Sequence, residues 1–140
     1  MSEIATPKDA HVIERLRTEI IVWLSTTRPD GKPNLTPVWF LWEDPTILIF
    51  SQPKKQKVRN IQQNPNVMLG LETRDYGDDV VLIEGTAELL DNNPNLGMSL
   101  PGYIEKYGKL MERMKVTPEQ IAAEYSQPIR ITPAKIRNWT

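Results

Sequence analysis

Three apolar runs separated by two short turns, all between residues 20 and 51, constrain the fold more than any other feature of this chain. The runs are IIVWLSTT (20–27), NLTPVWFLW (34–42) and TILIFS (46–51). The first turn, Arg28–Pro33, contains Asp30 and Gly31, a pair that readily takes positive φ in a hairpin. Glu43–Pro45 is the second turn. Because strands joined by such short connections pair antiparallel, the segment predicts a three-stranded antiparallel meander.

The rest of the chain predicts three further strands and several helices. The predicted elements are a helix from Pro7 to Leu16 with Thr6 as its cap, a helix at 54–63, strands at 67–72 and 80–90, helices between 94 and 125 with a break at 116–118, and a strand at 128–139. Neighbouring strands without helical crossovers favour antiparallel pairing. We therefore expect an α+β, mainly β fold: a six-stranded antiparallel split β-barrel with peripheral helices, built as one domain over residues 1–140.

Composition excludes several classes of function. The chain has no cysteine and one histidine, His11, so disulfides, thiolate catalysis, histidine-based metal sites and a Ser-His-Asp triad are not expected. The net charge is −1, which does not favour nucleic acid or an anionic membrane as a partner. No apolar run approaches the roughly 20 residues of a membrane span. We expect a soluble cytoplasmic protein with no metal, no nucleic acid and no membrane partner.

The second strand carries a proline among aromatic residues. Alternation places Leu35, Pro37, Trp39 and Leu41 on one face, and Thr36, Val38, Phe40 and Trp42 on the other. Since proline cannot donate to a sheet ladder, Pro37 favours an edge or a break in pairing. An open strand edge beside aromatic side chains suits a planar heteroaromatic ring with polar edges. The alternative is that these aromatics belong to the core and a dimer surface.

A cluster of cations follows the third strand. Its members are Lys54, Lys55, Lys57 and Arg59. No acidic residue lies between Asp44 and Glu72, so the cluster has no local carboxylate partner. If Ser51 or Gln52 caps a helix here, Lys55 and Lys57 fall in its first turn, where unpaired N–H groups and the helix dipole favour a phosphate. An exposed basic helix and a nucleic-acid contact are the alternatives.

No nucleophile–base pair is visible, so no catalytic residue is assigned. The tyrosines Tyr76, Tyr103, Tyr107 and Tyr125 are candidate phenol donors, but no spacing selects one of them. The absence of such a pair is consistent with chemistry carried out by a cofactor.

The order of these motifs resembles one known family. RPDGKP, TPVWFLW, LIFSQPKKQKVRNIQQNPNVML and VVLIEGTAELL follow one another as they do in the pyridoxamine 5′-phosphate oxidase-like superfamily of FMN-binding split barrels. The likeness is greatest to its small deazaflavin-associated branch, whose members use coenzyme F-420 rather than FMN. It covers nearly the whole chain, including the tail EYSQPIRITPAKIRNW.

The resemblance implies roles for particular residues. The strand Thr36, Pro37, Val38, Trp39, Phe40 would lie along the flavin ring. The strand end Phe50, Ser51, Gln52 would line the ribityl chain, and Lys55 and Lys57 would bind the phosphate. The resemblance also implies a homodimer with two cofactor sites at the subunit interface.

Departures from the family pattern narrow the function. Thr36, Trp42 and Val80 stand where true pyridoxamine phosphate oxidases carry Arg, Lys and Gln, and the ending IRNWT lacks their substrate-binding Arg signature. We therefore do not expect pyridoxal phosphate synthesis. The resemblance instead implies an oxidoreductase with FMN or coenzyme F-420 that transfers a hydride between the cofactor and a small unsaturated or quinone-like substrate. The alternative is a non-catalytic protein that binds or carries the cofactor or a haem-related ligand.

Overall fold

A computed structural model describes residues 5–93 and 100–139 of the chain. Its helices are α1 (Ala10–Thr18), α2 (Gln56–Gln63), α3 (Pro101–Met114) and α4 (Pro118–Glu124). Its strands are β1 (Ile21–Thr27), β2 (Pro33–Glu43), β3 (Thr46–Ser51), β4 (Asn66–Leu71), β5 (Val80–Leu89) and β6 (Gln127–Trp139). A single 3-10 turn, Asp75–Gly77, lies between β4 and β5.

The six strands form a closed antiparallel barrel in the order β1-β2-β3-β6-β5-β4. The predicted fold class is therefore confirmed: a mainly β, α+β split barrel with helices at its periphery. β5 and β6 form the longest ladder, which is interrupted by an irregularity between Glu84 and Gly85. A Cβ atom at Gly85 would lie 2.6 Å from the carbonyl oxygen of Thr132, so the close approach of the two strands requires glycine there.

Two apolar cores hold these elements together. The first fills the barrel with side chains that alternate along each strand, among them Val22, Leu24, Phe40, Ile47, Ile49, Leu69, Ile83, Ile129 and Ile131. α2 covers one end of the barrel through Val58 and Ile61, and the Asn60 side chain donates a hydrogen bond to Thr26 Oγ1 at 2.9 Å. The second core lies outside the barrel, where α3 packs on β3; it includes Leu48, Phe50, Tyr103, Tyr107 and Met111.

Arg15 fastens α1 to the barrel from a nearly fully buried position. Its Nη1 donates to the carbonyl oxygen of Asp79 at 2.9 Å and to Asp79 Oδ1 at 3.0 Å, and its Nη2 donates to the carbonyl oxygen of Glu72. Its Nε donates to Glu19 Oε1 at 3.1 Å. His11 Nε2 lies 2.7 Å from the other Asp79 carboxylate oxygen. Both members of the buried ion pair therefore have several hydrogen-bond partners.

The barrel opens between β2 and β3. β2 pairs with β1 over Pro33–Trp39, but its ladder with β3 covers Phe40–Glu43 alone. β3 continues to Ser51 along β6 instead. In the described part of the chain, the segment Pro33–Trp39 thus has one strand neighbour, as expected for a strand that contains Pro37.

Two helix starts were predicted too early. α1 begins at Ala10, because the Asp9 side chain, and not that of Thr6, accepts the capping hydrogen bond from the His11 amide. α2 begins at Gln56, with Lys55 as its N-cap residue, so neither Ser51 nor Gln52 caps it. Lys54 has a left-handed backbone conformation with φ of 68°, so it does not belong to the helix. The predicted helical residues 94–99 lie outside the described residues.

Within the described ranges, no helix is long and apolar enough to cross a membrane.

Candidate functional site

A cavity of about 370 Å³ occupies the opening between β2 and β3. One wall comes from the two strands and α2: Pro37, Val38, Trp39, Phe50, Ser51, Gln52 and Lys57. The opposite wall comes from the α3–α4 region: Tyr103, Met114, Ile121 and Tyr125, and Ile21 of β1 completes the lining. The cavity therefore depends on the separation of two strands that pair normally a few residues away.

Tyr107 holds this opening apart at the point where the strands diverge. The Phe40 amide donates to the Tyr107 hydroxyl oxygen at 2.8 Å, and that hydroxyl faces the carbonyl oxygens of Ile20 and Phe40 at 2.7 and 2.9 Å. A side chain thus supplies hydrogen bonds that a neighbouring strand would otherwise provide. Burial raises the pKa of Tyr107 well above its usual range, so the hydroxyl keeps its proton.

Trp39 is fixed by the same tyrosine. The indole ring stacks on the Tyr107 ring, with centroids 4.4 Å apart and an angle of 6° between the planes. Trp39 is half-buried and lines the cavity, so one aromatic pair joins α3 to the cavity wall. Stacked pairs of this kind stabilise a structure by about 0.5–1.5 kcal/mol beyond the area they bury.

Lys57 brings a positive charge to the cavity. Its side chain is half-buried, and neither a hydrogen bond nor an ion pair holds it among the residues that the structure describes. Burial lowers the pKa of Lys57, and the neighbouring charge of Lys55 lowers it further. An anion in the cavity would relieve both effects, because an opposite charge favours the protonated amine.

The start of α2 lies next to this lysine and lacks a side-chain cap. Lys55 is the N-cap residue and forms no capping hydrogen bond. The Val58 amide donates to the Lys55 carbonyl oxygen at 3.0 Å, which leaves the Gln56 and Lys57 amides of the first turn available to an anion. The positive end of the helix dipole also favours an anion there. Arg59 is engaged locally, since it donates to the Lys54 carbonyl oxygen at 2.6 Å and to Gln56 Oε1 at 2.8 Å. Lys54 is exposed.

The structure brings together seven of the ten residues predicted to bind a cofactor. Pro37, Val38, Trp39, Phe50, Ser51, Gln52 and Lys57 line the cavity.

Thr36, Phe40 and Lys55 lie outside the lining. The Thr36 side chain lies on the other face of β2, opposite Leu24, and its buried hydroxyl oxygen lacks a hydrogen-bond partner among the described residues. Phe40 is fully buried in the barrel core and contributes its backbone to the Tyr107 contact. Lys55 is exposed at the start of α2, beside Lys57.

The sequence did not identify the wall from the α3–α4 region. Tyr103, Tyr107 and Met111 are buried at intervals of four residues along α3, and this spacing is the signal that marks its inner face. Met114 lies seven residues after Tyr107 and so on the same face of α3. Nothing local marks Ile121 or Tyr125, because the α4 region reaches the cavity through tertiary packing.

Two other cavities lie away from the predicted residues. One, of about 690 Å³, surrounds the β2–β3 turn near Pro45 and Arg130, and one of about 380 Å³ lies between α1 and α3 near Lys106. None of the ten predicted residues lines either cavity. The cavity between β2 and β3 is therefore the candidate site.

Comparisons with known proteins agree with the split-barrel fold. A family model described as pyridoxamine 5′-phosphate oxidase matches residues 9–140. A solved structure of an F420 reductase is 25% identical, with a TM-score of 0.68 over 89% of this chain and 94% of that one. A conserved hypothetical protein from Mycobacterium tuberculosis is 25% identical, with a TM-score of 0.75 over 99% of this chain and 88% of that one.

A more distant likeness concerns the fold alone. The haem storage protein HutZ from Vibrio cholerae is 14% identical, with a TM-score of 0.63 over 93% of this chain and 94% of that one. No curated protein matches the chain at a significant level.

Proposed function

Because the chain belongs to the pyridoxamine 5′-phosphate oxidase family, we propose that it is a cytoplasmic oxidoreductase that uses FMN or coenzyme F-420. It transfers a hydride between the bound cofactor and a small unsaturated or quinone-like substrate. When bound, such a cofactor supplies the two-electron chemistry; the protein contributes positioning, exclusion of water and charge placement. The likeness to an F420 reductase supports the deazaflavin as one of the two candidates.

The observation that carries this proposal is Lys57. A half-buried amine with no carboxylate partner among the described residues, at the uncapped start of α2, fits the phosphate of either cofactor. Lys55, exposed beside it, would reach the same phosphate from the solvent side. A charged hydrogen bond of this kind contributes about 1.5–3 kcal/mol.

The opened segment of β2 fits the ring. Pro37, Val38 and Trp39 line the cavity on an edge without a second strand neighbour in the described residues. Backbone polar groups along such an edge would meet the polar rim of the ring, and the aromatic surface of Trp39 would meet its face. Thr36 has a hydroxyl without a partner, but it lies on the other face of the strand, so we assign it no direct contact.

We also propose that the protein is a homodimer through the outer face of β2, β1 and β4. Two rows of residues cross this face: Leu35–Ser25–Met68 and Pro37–Trp23–Gly70. Leu35 is 60% exposed, and Trp23 and Met68 are 37% exposed each. Large exposed apolar faces mark interaction sites. Because the resemblance to the family implies a homodimer, the occupant that we propose is a second copy, which Pro37 would bring to the edge of the cavity.

Sedimentation tests the dimer. Leu35→Glu places a charge in this apolar face and should produce monomers. Lys109→Glu, at an exposed position of α3, should leave the association state unchanged. A monomeric wild-type protein would contradict the homodimer.

The visible spectrum of the purified protein, followed by titration with FMN and with coenzyme F-420, tests the cofactor. We expect saturable binding of at least one, and a reduced cofactor should be reoxidised anaerobically by a quinone or an enone. If neither cofactor binds, the proposal is wrong. Binding without turnover with any acceptor would instead identify a carrier.

A further inference from the structure

Two tyrosines in the cavity have hydroxyl groups that the fold does not use. Tyr103 and Tyr125 both line it, and neither hydroxyl forms a hydrogen bond among the described residues. The fold does use the hydroxyl of Tyr107, one turn further along α3, in backbone hydrogen bonds. Tyr103 is buried and Tyr125 is half-buried, and both line the cavity, so a ligand that displaces water from the cavity would have to supply a hydrogen-bond partner for each hydroxyl group.

The wall that carries these hydroxyl groups is mostly apolar. Phe50 packs edge-on against Tyr103, with ring centroids 5.1 Å apart, and Met114 and Ile121 complete the wall. Burial raises the pKa of Tyr103 to about 12, and the proximity of Tyr125 adds to the rise. At neutral pH this wall therefore offers O–H donors on an apolar surface.

We propose that Tyr103 and Tyr125 form an acceptor subsite, in which their hydroxyl groups donate hydrogen bonds to a carbonyl oxygen of a planar, apolar quinone- or enone-type substrate. The cationic end of the cavity at Lys57 is left for the cofactor phosphate. This proposal assigns substrate-binding residues to the proposed function. It rests on that function in one respect, because it treats the ligand as the electron acceptor.

The assignment follows from matching the ligand to the apolar side chains of the subsite and to its two hydroxyl groups. A ligand with several charges would lose its hydration against Phe50, Met114 and Ile121 without compensation. A pure hydrocarbon would leave both hydroxyl groups unpaired in a desolvated site, which costs about 1–3 kcal/mol for each group. A flat ring with one or two carbonyl oxygens avoids both penalties.

Direct binding of menadione, a 1,4-naphthoquinone, to the full chain tests the subsite without relying on turnover. The control ligand is 2-methylnaphthalene, which has the same ring system and no oxygen. Affinity is measured by quenching of tryptophan fluorescence, since Trp39 lines the cavity. The variants are Tyr103→Phe and Tyr125→Phe, and Tyr76→Phe, in a fully exposed loop, is the matched control.

We expect each cavity variant to weaken menadione binding by about two- to tenfold, the effect of one neutral hydrogen bond. Binding of 2-methylnaphthalene should not change, and Tyr76→Phe should behave as wild type. The subsite is refuted if menadione does not bind the wild-type protein, if its affinity is unchanged in both variants, or if the two ligands lose affinity equally.

Titration of the same variants with FMN and coenzyme F-420 separates this inference from the proposed function. Unchanged cofactor affinity, together with weaker menadione binding, supports the subsite. Weaker cofactor binding with unchanged menadione binding would assign the hydroxyl groups to the cofactor and overturn the subsite. If the wild-type protein binds menadione as described but neither cofactor, the proposed function fails while the subsite stands.

Discussion

Arg15 and Lys57 are both cationic side chains that are at least half-buried, but they differ in the partners that surround them. Arg15 is 1% exposed, and the Asp79 carboxylate, two backbone carbonyl oxygens and Glu19 surround it. Lys57 is half-buried at the cavity and has no such partner in the described ranges. A buried charge with all its hydrogen bonds satisfied supports the fold, whereas an unpaired one is available to a ligand.

The comparison extends to the acidic partner. A hydrogen bond from His11, together with the charge of Arg15, holds the pKa of Asp79 below its usual range despite the opposing effect of burial. Within residues 5–93 and 100–139, no carboxylate plays this role near Lys57, and burial together with the neighbouring Lys55 lowers the pKa of the amine. The Arg15 site is therefore electrostatically complete, whereas the Lys57 site would be completed by the anion that we propose binds there.

Replacing Arg15 by Met should give the largest effect on stability. The change leaves the Asp79 carboxylate buried beside His11 alone, and removing one partner of a buried pair typically costs about 3–5 kcal/mol. Urea unfolding measures the free energy. Arg17→Met, on the exposed side of the same helix, is the matched control and should unfold as wild type. Equal stability of the two variants would show that the Arg15 network does not support the fold.

Trp39 contributes both to the packing of α3 and to the cavity wall, so its replacement tests stability and binding together. Trp39→Ala removes the stack on Tyr107 and part of the cavity wall, and should lower the free energy of unfolding by about 2 kcal/mol, roughly half the cost at a fully buried site. Cofactor affinity should fall as well. Trp39→Phe should retain most of the stability. Lost stability with unchanged cofactor affinity would assign Trp39 to the core alone.

Lys106 is an intermediate case and predicts a pH-dependent effect. Its amine donates to the Phe40 carbonyl oxygen at 3.0 Å and lies 3.6 Å from the centroid of the Phe40 ring. Burial lowers the pKa of Lys106 to about 7, although Glu19 opposes the shift.

Between pH 7 and the ordinary lysine pKa near 10.5, the unfolded chain binds a proton that the folded chain does not. Folding stability therefore increases as the pH rises through this window. The wild-type protein should gain stability from pH 7 to 9.5 relative to Lys106→Met, as measured by urea unfolding at each pH. A pH-independent difference between the two proteins would contradict the shift.

Much of the barrel follows from local sequence signals. Alternation in β2 predicted the two faces of the strand, and turn residues predicted the hairpins, because the side-chain period of a strand and the φ preference of Gly31 are local properties. Pro37 predicted the loss of a strand neighbour, because the missing N–H donor of proline is also a local property. The start of α2 was predicted two residues early, since the left-handed turn at Lys54 has no signature in its residue type.

The candidate site was less predictable because tertiary packing, and not local sequence, brings one of its walls to the cavity. Lys57 could be singled out by the absence of local carboxylates, but nothing in the sequence shows that Lys55 is exposed while Lys57 lines the cavity. Arg15 was overlooked for a related reason. Its partner Asp79 lies 64 residues away and is brought to it by the barrel. Tyr103 and Tyr125 are likewise distinguished from Tyr107 only by which hydroxyl groups the packing leaves free.

The measurement that tests the central claim most directly compares cofactor binding and stability in one variant. Replacing both Lys55 and Lys57 by Ala should weaken binding of the preferred cofactor at least tenfold, about 1.4 kcal/mol. The melting temperature of the cofactor-free protein should remain nearly unchanged, because no protein group pairs with Lys57 in the described structure. Lys54→Ala, at an exposed position, should change neither quantity. An unaltered dissociation constant in the double variant would contradict the account.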